Sequence, residues 1–165
     1  MTPTADTPAV TTLPVAVVGA GPVVRGWGHV RVFSRWAELV DPAARRLLET
    51  TGWVAPEPES YPTGLAWVRE YLQPLADALG ERVRFDRSVT GVARRGRDRV
   101  VDSGRAEQPL TVHTRASDGR EGRVAVRAVL DASGTVGHPN PLGSDGYPAD
   151  GEAAASDRVA YRVPD

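Results

Sequence analysis

A chain of 165 residues can form one domain with a hydrophobic core. Its net charge of −1 gives no electrostatic basis for binding nucleic acid or an anionic membrane surface. The chain has no cysteine, which excludes disulfides, thiolate metal sites and cysteine nucleophiles. It has no apolar run of about 18 residues and no signal peptide, so we expect a cytoplasmic protein with no membrane span.

The clearest pattern is a short apolar run, residues 14–18, that ends in Gly19 and Gly21. A buried parallel strand has this composition where it opens into a phosphate-binding turn. Gly19 would permit the tight turn, and Gly21 would let backbone N–H groups approach a pyrophosphate. The third glycine of the G-x-G-x-x-G pattern would stand at position 24, where this chain has Val24.

The segment after this turn departs from a dinucleotide-binding unit. Such a unit continues with a crossover helix, a second strand and an acidic residue about 20 residues on. Residues 23–36 contain two more glycines and no helical stripe of apolar residues. Asp41 stands at a suitable distance, but Pro42 after it indicates a helix N-cap instead. The sequence therefore predicts that the first crossover helix and the second strand are missing.

Two helices are predicted next. The first runs from the N-cap Asp41 to Gly52, whose position suits a left-handed C-terminal residue. After a proline-rich loop, residues 64–80 carry the strongest helical pattern, and Pro74 should kink or split that helix after Leu72. Its apolar stripe, which we interpret as core packing, comprises Leu65, Val68, Leu72, Leu75 and Leu79.

From residue 82 the apolar period changes to two, which predicts strands. The predicted strands are 83–85, 88–95, 110–115 and 123–131, with a hairpin turn at 117–122. The last strand becomes apolar toward its end, so the pattern predicts an antiparallel meander that returns the chain to a central sheet. A second glycine-rich turn, residues 131–137, follows, and residues 138–165 show no periodic element. Residues 1–12 have the composition of a disordered leader.

The order of these features resembles the FAD-binding half of the flavin monooxygenase-like and pyridine-nucleotide-type FAD/NAD(P)-binding oxidoreductases. The resemblance covers residues 13 to 165. It is carried by four segments: Val-Val-Gly-Ala-Gly-Pro ending at Pro22, Arg25-Gly-Trp27, Tyr61-Pro-Thr-Gly64 before a helix, and Ala128-Val-Leu-Asp-Ala-Ser-Gly134.

The resemblance implies an α/β fold, a partial Rossmann-like FAD-binding domain with an antiparallel β-meander spanning residues 13–137. It implies that residues 138–165 lead toward an absent NAD(P)-binding domain, so the chain looks truncated. It also looks shortened internally, by roughly 25–30 residues after Pro22. The implied activity is that of an NAD(P)H-using, FAD-dependent oxidoreductase. No nicotinamide site is visible, so we expect no turnover by this chain alone.

The resemblance also implies the cofactor-binding residues, and each has an ordinary structural alternative. The cofactor-binding set is Gly19, Gly21, Pro22, Arg25, Trp27, Ser133 and Gly134. The alternatives are a plain strand-to-turn connection for the first glycines, core or loop packing for Trp27, and a tight turn at Ser133 and Gly134.

No catalytic residue stands out. The three histidines His29, His113 and His138 share no metal-ligand spacing, and no serine lies in a nucleophile elbow. We interpret the loop carboxylates, Glu152 among them, as solvated surface charges. The alternative to the enzyme is a non-catalytic remnant, or a nucleotide-binding module that needs a partner chain. Because a parallel sheet without its crossover helix lacks a covering layer, the sequence also predicts low stability or self-association.

Overall fold

The computed structural model describes residues 13–19, 23–134 and 139–161. The predicted leader, residues 1–12, and the candidate residues Gly21 and Pro22 lie outside these ranges. Helices and strands are both present, which confirms a mixed α/β composition. The chain forms two compact units: residues 13–19 with 85–132 belong to the first, and residues 23–84 with 133, 134 and 139–161 belong to the second.

The first unit contains a two-stranded parallel sheet. Strand β1, Val15–Val18, pairs with β5, Ala128–Asp131, in a register that runs from Val15 opposite Ala128 to Val18 opposite Asp131. Two strands far apart in sequence therefore lie side by side. A parallel strand after the meander agrees with the prediction, and the structure identifies β1 as the partner of that strand.

The rest of the first unit is a three-stranded antiparallel meander, as predicted. Its strands are β2, Arg87–Arg94, β3, Leu110–Ala116, and β4, Glu121–Val126. The register of β2 with β3 shifts between Val89 and Gly91, which marks a bulge in β2. Since alternate residues point to opposite faces, Val112 and Val126 lie on the packed face.

Two strand predictions were wrong. Residues 83–85 form no strand, because Val83 N donates to the Gly80 carbonyl at 3.0 Å and closes a 3₁₀ turn, and Asp86 has a φ of +54°. The positive φ of Asp86 interrupts the extended chain before β2, and the N–H of Val83 is already used by the turn. The predicted strand 123–131 is two strands, β4 and β5. The backbone N–H of Arg127, between them, donates to the Pro14 carbonyl at 3.0 Å, so the chain changes partner there.

The second unit begins with three short helices: α1, Val23–Gly26, α2, Trp36–Leu39, and α3, Pro42–Glu49. Helix α3 confirms the predicted cap, because the Asp41 carboxylate accepts from the backbone N–H of Ala43 at 2.8 Å and of Ala44 at 3.0 Å. Gly52, beyond the end of α3, has a φ of +80°, as its predicted left-handed position requires.

Residues 64–79 form one helical rod with a change of winding before Pro74. Helix α4, Gly64–Trp67, passes through a π-helical segment, Val68–Leu72, into α5, Gln73–Leu79. The π-helical bond runs from Gln73 N to the Val68 carbonyl, five residues back. The predicted break after Leu72 is confirmed, because Pro74 has no N–H for the Glu70 carbonyl four residues before it. The Trp53 indole N–H donates to that carbonyl at 2.6 Å instead.

The buried face of the rod matches the predicted apolar stripe in part. The buried cluster of the second unit comprises Trp36, Val40, Leu48 and Tyr71. Leu72 and Leu75, two members of the stripe, are partly buried and pack against this cluster, as the core-packing interpretation expects. Tyr71 is outside the predicted stripe, and Leu65 inside it is exposed. Since Tyr71 stands four residues before Leu75, the two side chains share one side of the helix.

The described tail, residues 139–161, consists of bends and turns, in agreement with the predicted absence of a periodic element. Its centre is Glu152, which is only 7% exposed. The carboxylate accepts from the backbone N–H of Ala149 at 2.7 Å and of Leu142 at 3.0 Å, and from the Tyr161 hydroxyl. The interpretation of Glu152 as a solvated charge was therefore wrong, since this carboxylate joins three separate points of the tail.

Candidate functional site

The carboxyl ends of β1 and β5 form the part of the predicted cofactor site that the structure describes best. Both strands end at the same edge of the parallel sheet, where the backbone N–H of Ala132 donates to the Val18 carbonyl at 2.7 Å. Gly19 follows β1 with a φ of +113°, and Gly134 follows β5 with a φ of +66°. Ligands of open α/β sheets bind outside this end of the strands.

These two backbone conformations need glycine. A φ in the left-handed half of the map is costly for residues with a Cβ, so a side chain at Gly19 would strain the turn. At Gly134 a Cβ would meet no atom within 4 Å, so the space beside that residue is open. Each turn therefore has a backbone conformation that glycine adopts more readily than other residues.

The helix that should face the diphosphate is short. After the turn the described chain forms α1, which has only 4 residues. Within the described residues β1 pairs with β5 alone, and no second strand continues the sheet beyond it. The loss of a full crossover helix and of a second strand after Pro22 stays a prediction. A single turn supplies few free N–H groups and a small dipole for an anion.

Arg25 and Trp27 belong to the second unit, where the chain around them packs against the segment before α4. The Val30 carbonyl accepts from Gly64 N, and the Gly28 carbonyl from Leu65 N, both at 2.9 Å. A Cβ on Gly64 would lie 2.8 Å from the Trp27 ring, so the indole packs directly on this glycine. The structure thus brings together two of the four segments that carry the resemblance, and it gives Trp27 a packing contact.

Two groups of exposed charged side chains in the described chain have shifted pKa values. Hydrogen bonds and ion pairs with Glu38 and Glu59 raise the pKa of Arg35, and the Arg35 backbone N–H lowers the pKa of Glu38. The backbone N–H and guanidinium of Arg120 lower the pKa of Asp118 in the hairpin turn. These are exposed surface pairs, so they indicate no acid or base poised at the strand ends.

The described residues hold no cluster of His, Asp and Glu side chains arranged for a metal ion. No helix in the described chain combines the length and the apolarity needed to cross a bilayer. Ser133 stands in the loop after β5, between Ala132 and Gly134.

The open face of the meander carries a second concave surface that we did not predict from the sequence. A cavity of about 420 Å³ lies there, against strands β2, β3 and β4. His113 and Arg123 stand opposite each other in the register and both line it, together with Arg95. The alternation in residues 110–115 placed His113 on the face opposite Val112. Its pairing with Arg123 depends on the register, which no local pattern specifies.

Comparison with protein-family models, with curated proteins and with solved structures finds no match to this chain.

Proposed function

We propose that this chain is the FAD-binding part of a flavin monooxygenase-like, NAD(P)H-using oxidoreductase, with a partial Rossmann-like fold. The observation that carries the proposal is the parallel pairing of β1 with β5. Because of this pairing, the carboxyl ends of both strands lie at the same end of the sheet, and a glycine follows each of them. In the sequence, the antiparallel meander lies between β1 and β5. This order resembles that of the FAD-binding half of the oxidoreductases named above.

In this proposal Gly19, Gly21 and Pro22 bind the diphosphate, the two glycines through their backbone N–H groups. Ser133 and Gly134 approach the cofactor from the end of β5. Arg25 and Trp27 are the residues proposed for the flavin end, by resemblance alone. Bound FAD would supply the redox chemistry, with electrons from a nicotinamide, while the chain binds and orients the cofactor. The protein is proposed to act in the cytoplasm, on a small organic substrate.

A second candidate function is a non-catalytic nucleotide-binding module that depends on a partner chain. The shortness of α1 favours it, because a four-residue helix leaves most of the diphosphate charge to the loop alone. The parallel sheet also has two strands, and each keeps an open edge within the described residues. A partner chain could supply the missing layer and the nicotinamide site.

The visible absorbance of the purified protein, before and after incubation with FAD and desalting, tests both candidates. A flavin spectrum that survives desalting supports a working diphosphate turn. A colourless protein that takes up no FAD contradicts flavin binding by this chain and leaves the partner-dependent module as the function to test. Hydride transfer is then assayed by mixing the flavin-loaded protein with NADH or NADPH, and bleaching of the flavin would show a nicotinamide site.

A substitution at the turn makes the test specific. Gly19→Val places a β-branched side chain at a φ of +113°, so we expect loss of FAD retention. The control is Gly119→Val in the hairpin turn of the meander, where the φ is +84° and a Cβ would meet no atom within 4 Å. Circular dichroism of both variants verifies that they are folded. Equal FAD retention by the wild-type protein and the Gly19→Val variant would contradict binding at this turn.

A further inference from the structure

The open face of the β2–β3–β4 meander has a floor of small side chains. Ala93 pairs with Thr111, and Thr111 pairs with Ala125, so these three residues form one row across the sheet. Directly paired residues of antiparallel strands point to the same face. Because the row contains no large side chain, it leaves the cavity of about 420 Å³ above it, a size that suits a small molecule.

Basic side chains flank this floor on two sides. The next row along the strands ends in His113 and Arg123, which pair directly. On the other side Arg95, two residues after Ala93, points to the same face and lines the same cavity. From strand spacing and rise, the Cα atoms of Arg95 and Arg123 are about 17 Å apart, diagonally across the floor.

These groups are available to a ligand. Neither Arg95 nor Arg123 has a side-chain hydrogen bond or an ion pair within the described residues, nor has the His113 ring. Arg94 also lines the cavity, but its guanidinium donates to the Gln108 carbonyl at 2.7 Å. The nearest carboxylate on this face of β4, Glu121, pairs with Arg115 at 3.3 Å. No carboxylate is among the described residues that line the cavity.

We propose that this face binds a small organic anion, with a phosphate or carboxylate group held by Arg123 and His113 and an uncharged body lying on the Ala93–Thr111–Ala125 floor toward Arg95. Arginine suits this role because its planar guanidinium donates two parallel hydrogen bonds to a phosphate or a carboxylate. The small floor residues would allow a flat body to lie against the sheet. This site lies wholly in the first unit and does not rest on the proposed flavin function.

Two probes that share a phenyl ring, one with a phosphate and one with a carboxylate, test which anionic group the site prefers. Phenyl phosphate and benzoate are titrated into ¹⁵N-labelled protein at low salt, and backbone amide shifts are followed by NMR, with benzyl alcohol as the uncharged control. Saturable shifts centred on Ala93, Thr111 and Ala125, with either probe, support the proposal. The tighter probe then identifies phosphate or carboxylate as the preferred group. Absence of saturable shifts at these residues with both probes, or equal shifts with benzyl alcohol, would overturn it.

Substitutions of single arginines test which side chain binds the anionic group. Arg123→Gln should weaken binding by about tenfold, since it removes a charge-assisted hydrogen bond. Arg95→Gln should weaken it by about threefold, as expected for a more distant exposed charge. The control Arg120→Gln removes the same charge from the hairpin turn, where Arg120 pairs with Asp118 at 2.6 Å. If the Arg123→Gln variant does not fold, the affinity of the Arg95→Gln variant tests the proposal instead, and unchanged binding by that variant would contradict it. Equal weakening in the control would overturn the site, because it would show a response to net charge alone.

Discussion

At the scale of single residues, Glu152 determines how the described tail folds. A tail of turns has few backbone hydrogen bonds of its own, and one carboxylate has enough lone pairs to replace several of them. Glu152 does so for two backbone N–H groups and the Tyr161 hydroxyl. These hydrogen bonds, that of Tyr161 first, lower the pKa of Glu152, and the same contact raises the pKa of Tyr161.

We predict that this contact is lost at both ends of the pH scale. Because the pKa of Glu152 is lowered, its stabilising contribution is present above the ordinary carboxyl pKa, about 4.3, and is lost as pH falls through the lower folded value. Because the pKa of Tyr161 is raised, its contribution is present below about pH 10 and is lost as pH rises further. The loss at acidic pH is measured from the NMR shifts of the Leu142 and Ala149 backbone amides as a function of pH.

Tyr161→Phe should raise the midpoint of this acidic titration, since the Tyr161 hydroxyl is the largest cause of the lowered pKa of Glu152. The control Asp150→Asn removes a nearby exposed carboxylate and should leave the midpoint unchanged. An unchanged midpoint in Tyr161→Phe would contradict the assigned role of this hydrogen bond.

We predict that Gly64→Ala destabilises the second unit. A Cβ at this buried position would lie 2.8 Å from Trp27 ring atoms and 3.0 Å from the Trp27 carbonyl oxygen, so the indole or the backbone would have to move. Overpacking of this kind costs about 1–3 kcal/mol in the free energy of unfolding. Urea denaturation followed by tryptophan fluorescence measures it. Gly26→Ala, with open space around its Cβ, is the control and should change the free energy by less than about 0.5 kcal/mol.

At the scale of elements, the rod from α4 to α5 shows how one proline is accommodated. The chain stays helical before Pro74 by changing to π-helical winding. Pro74 has no N–H for the Glu70 carbonyl, and the indole N–H of Trp53 donates to that carbonyl instead. Trp53 also lies beside Tyr71, with ring centroids 6.3 Å apart and planes tilted by 50°. The loop before α4 therefore packs against the rod at the point where its winding changes.

We predict that Trp53 and Pro74 are energetically coupled. Trp53→Phe should cost about 1 kcal/mol for the lost hydrogen bond, in addition to a packing loss. In a Pro74→Ala background the new N–H of residue 74 can donate to the Glu70 carbonyl, so the same substitution should cost less. A double-mutant cycle on the free energy of unfolding should give a coupling of at least about 0.5 kcal/mol. Packing losses common to both backgrounds cancel, and a coupling near zero would contradict this assignment.

At the scale of the whole molecule, the parallel sheet exposes apolar side chains. Val17 is 64% exposed and its register partner Leu130 is 59% exposed. Val15, on the same face, is also exposed. Parallel sheets are normally covered on both faces, and unpaired strand edges invite pairing with other chains. The structure therefore gives a physical basis for the expected self-association, and the association itself stays a prediction.

We predict that Val17→Thr reduces self-association. Threonine keeps the β-branched shape that suits a strand but makes the exposed face more polar. Sedimentation velocity over a range of protein concentrations should show a mass nearer that of the 17.6 kDa monomer for the variant than for the wild-type protein. Val54→Thr changes a valine outside the sheet that is even more exposed, at 84%, and should have no effect. A wild-type protein that stays monomeric at every concentration and unfolds cooperatively would contradict the prediction.

The sequence by itself determined the elements whose signals are local. Asp41 with Pro42 specified the start of α3, Pro74 specified the break in the rod, and alternating apolar residues specified the meander, because caps, proline and strand alternation act over a few residues. Glycine after β1 indicated a turn. The candidate cofactor residues around that turn remain a proposal from resemblance, since neither their joint geometry nor a ligand follows from the pattern.

Only the tertiary structure decided the contacts between distant residues. The burial of Tyr71 depended on its packing with Trp36 and Leu48, and the network of Glu152 depended on how the tail closes on itself. The pairing of His113 with Arg123 followed from the register of β3 with β4. Each of these depends on which segments meet in space, a choice made by packing and hydrogen bonding over long sequence separations, so no local pattern specifies it.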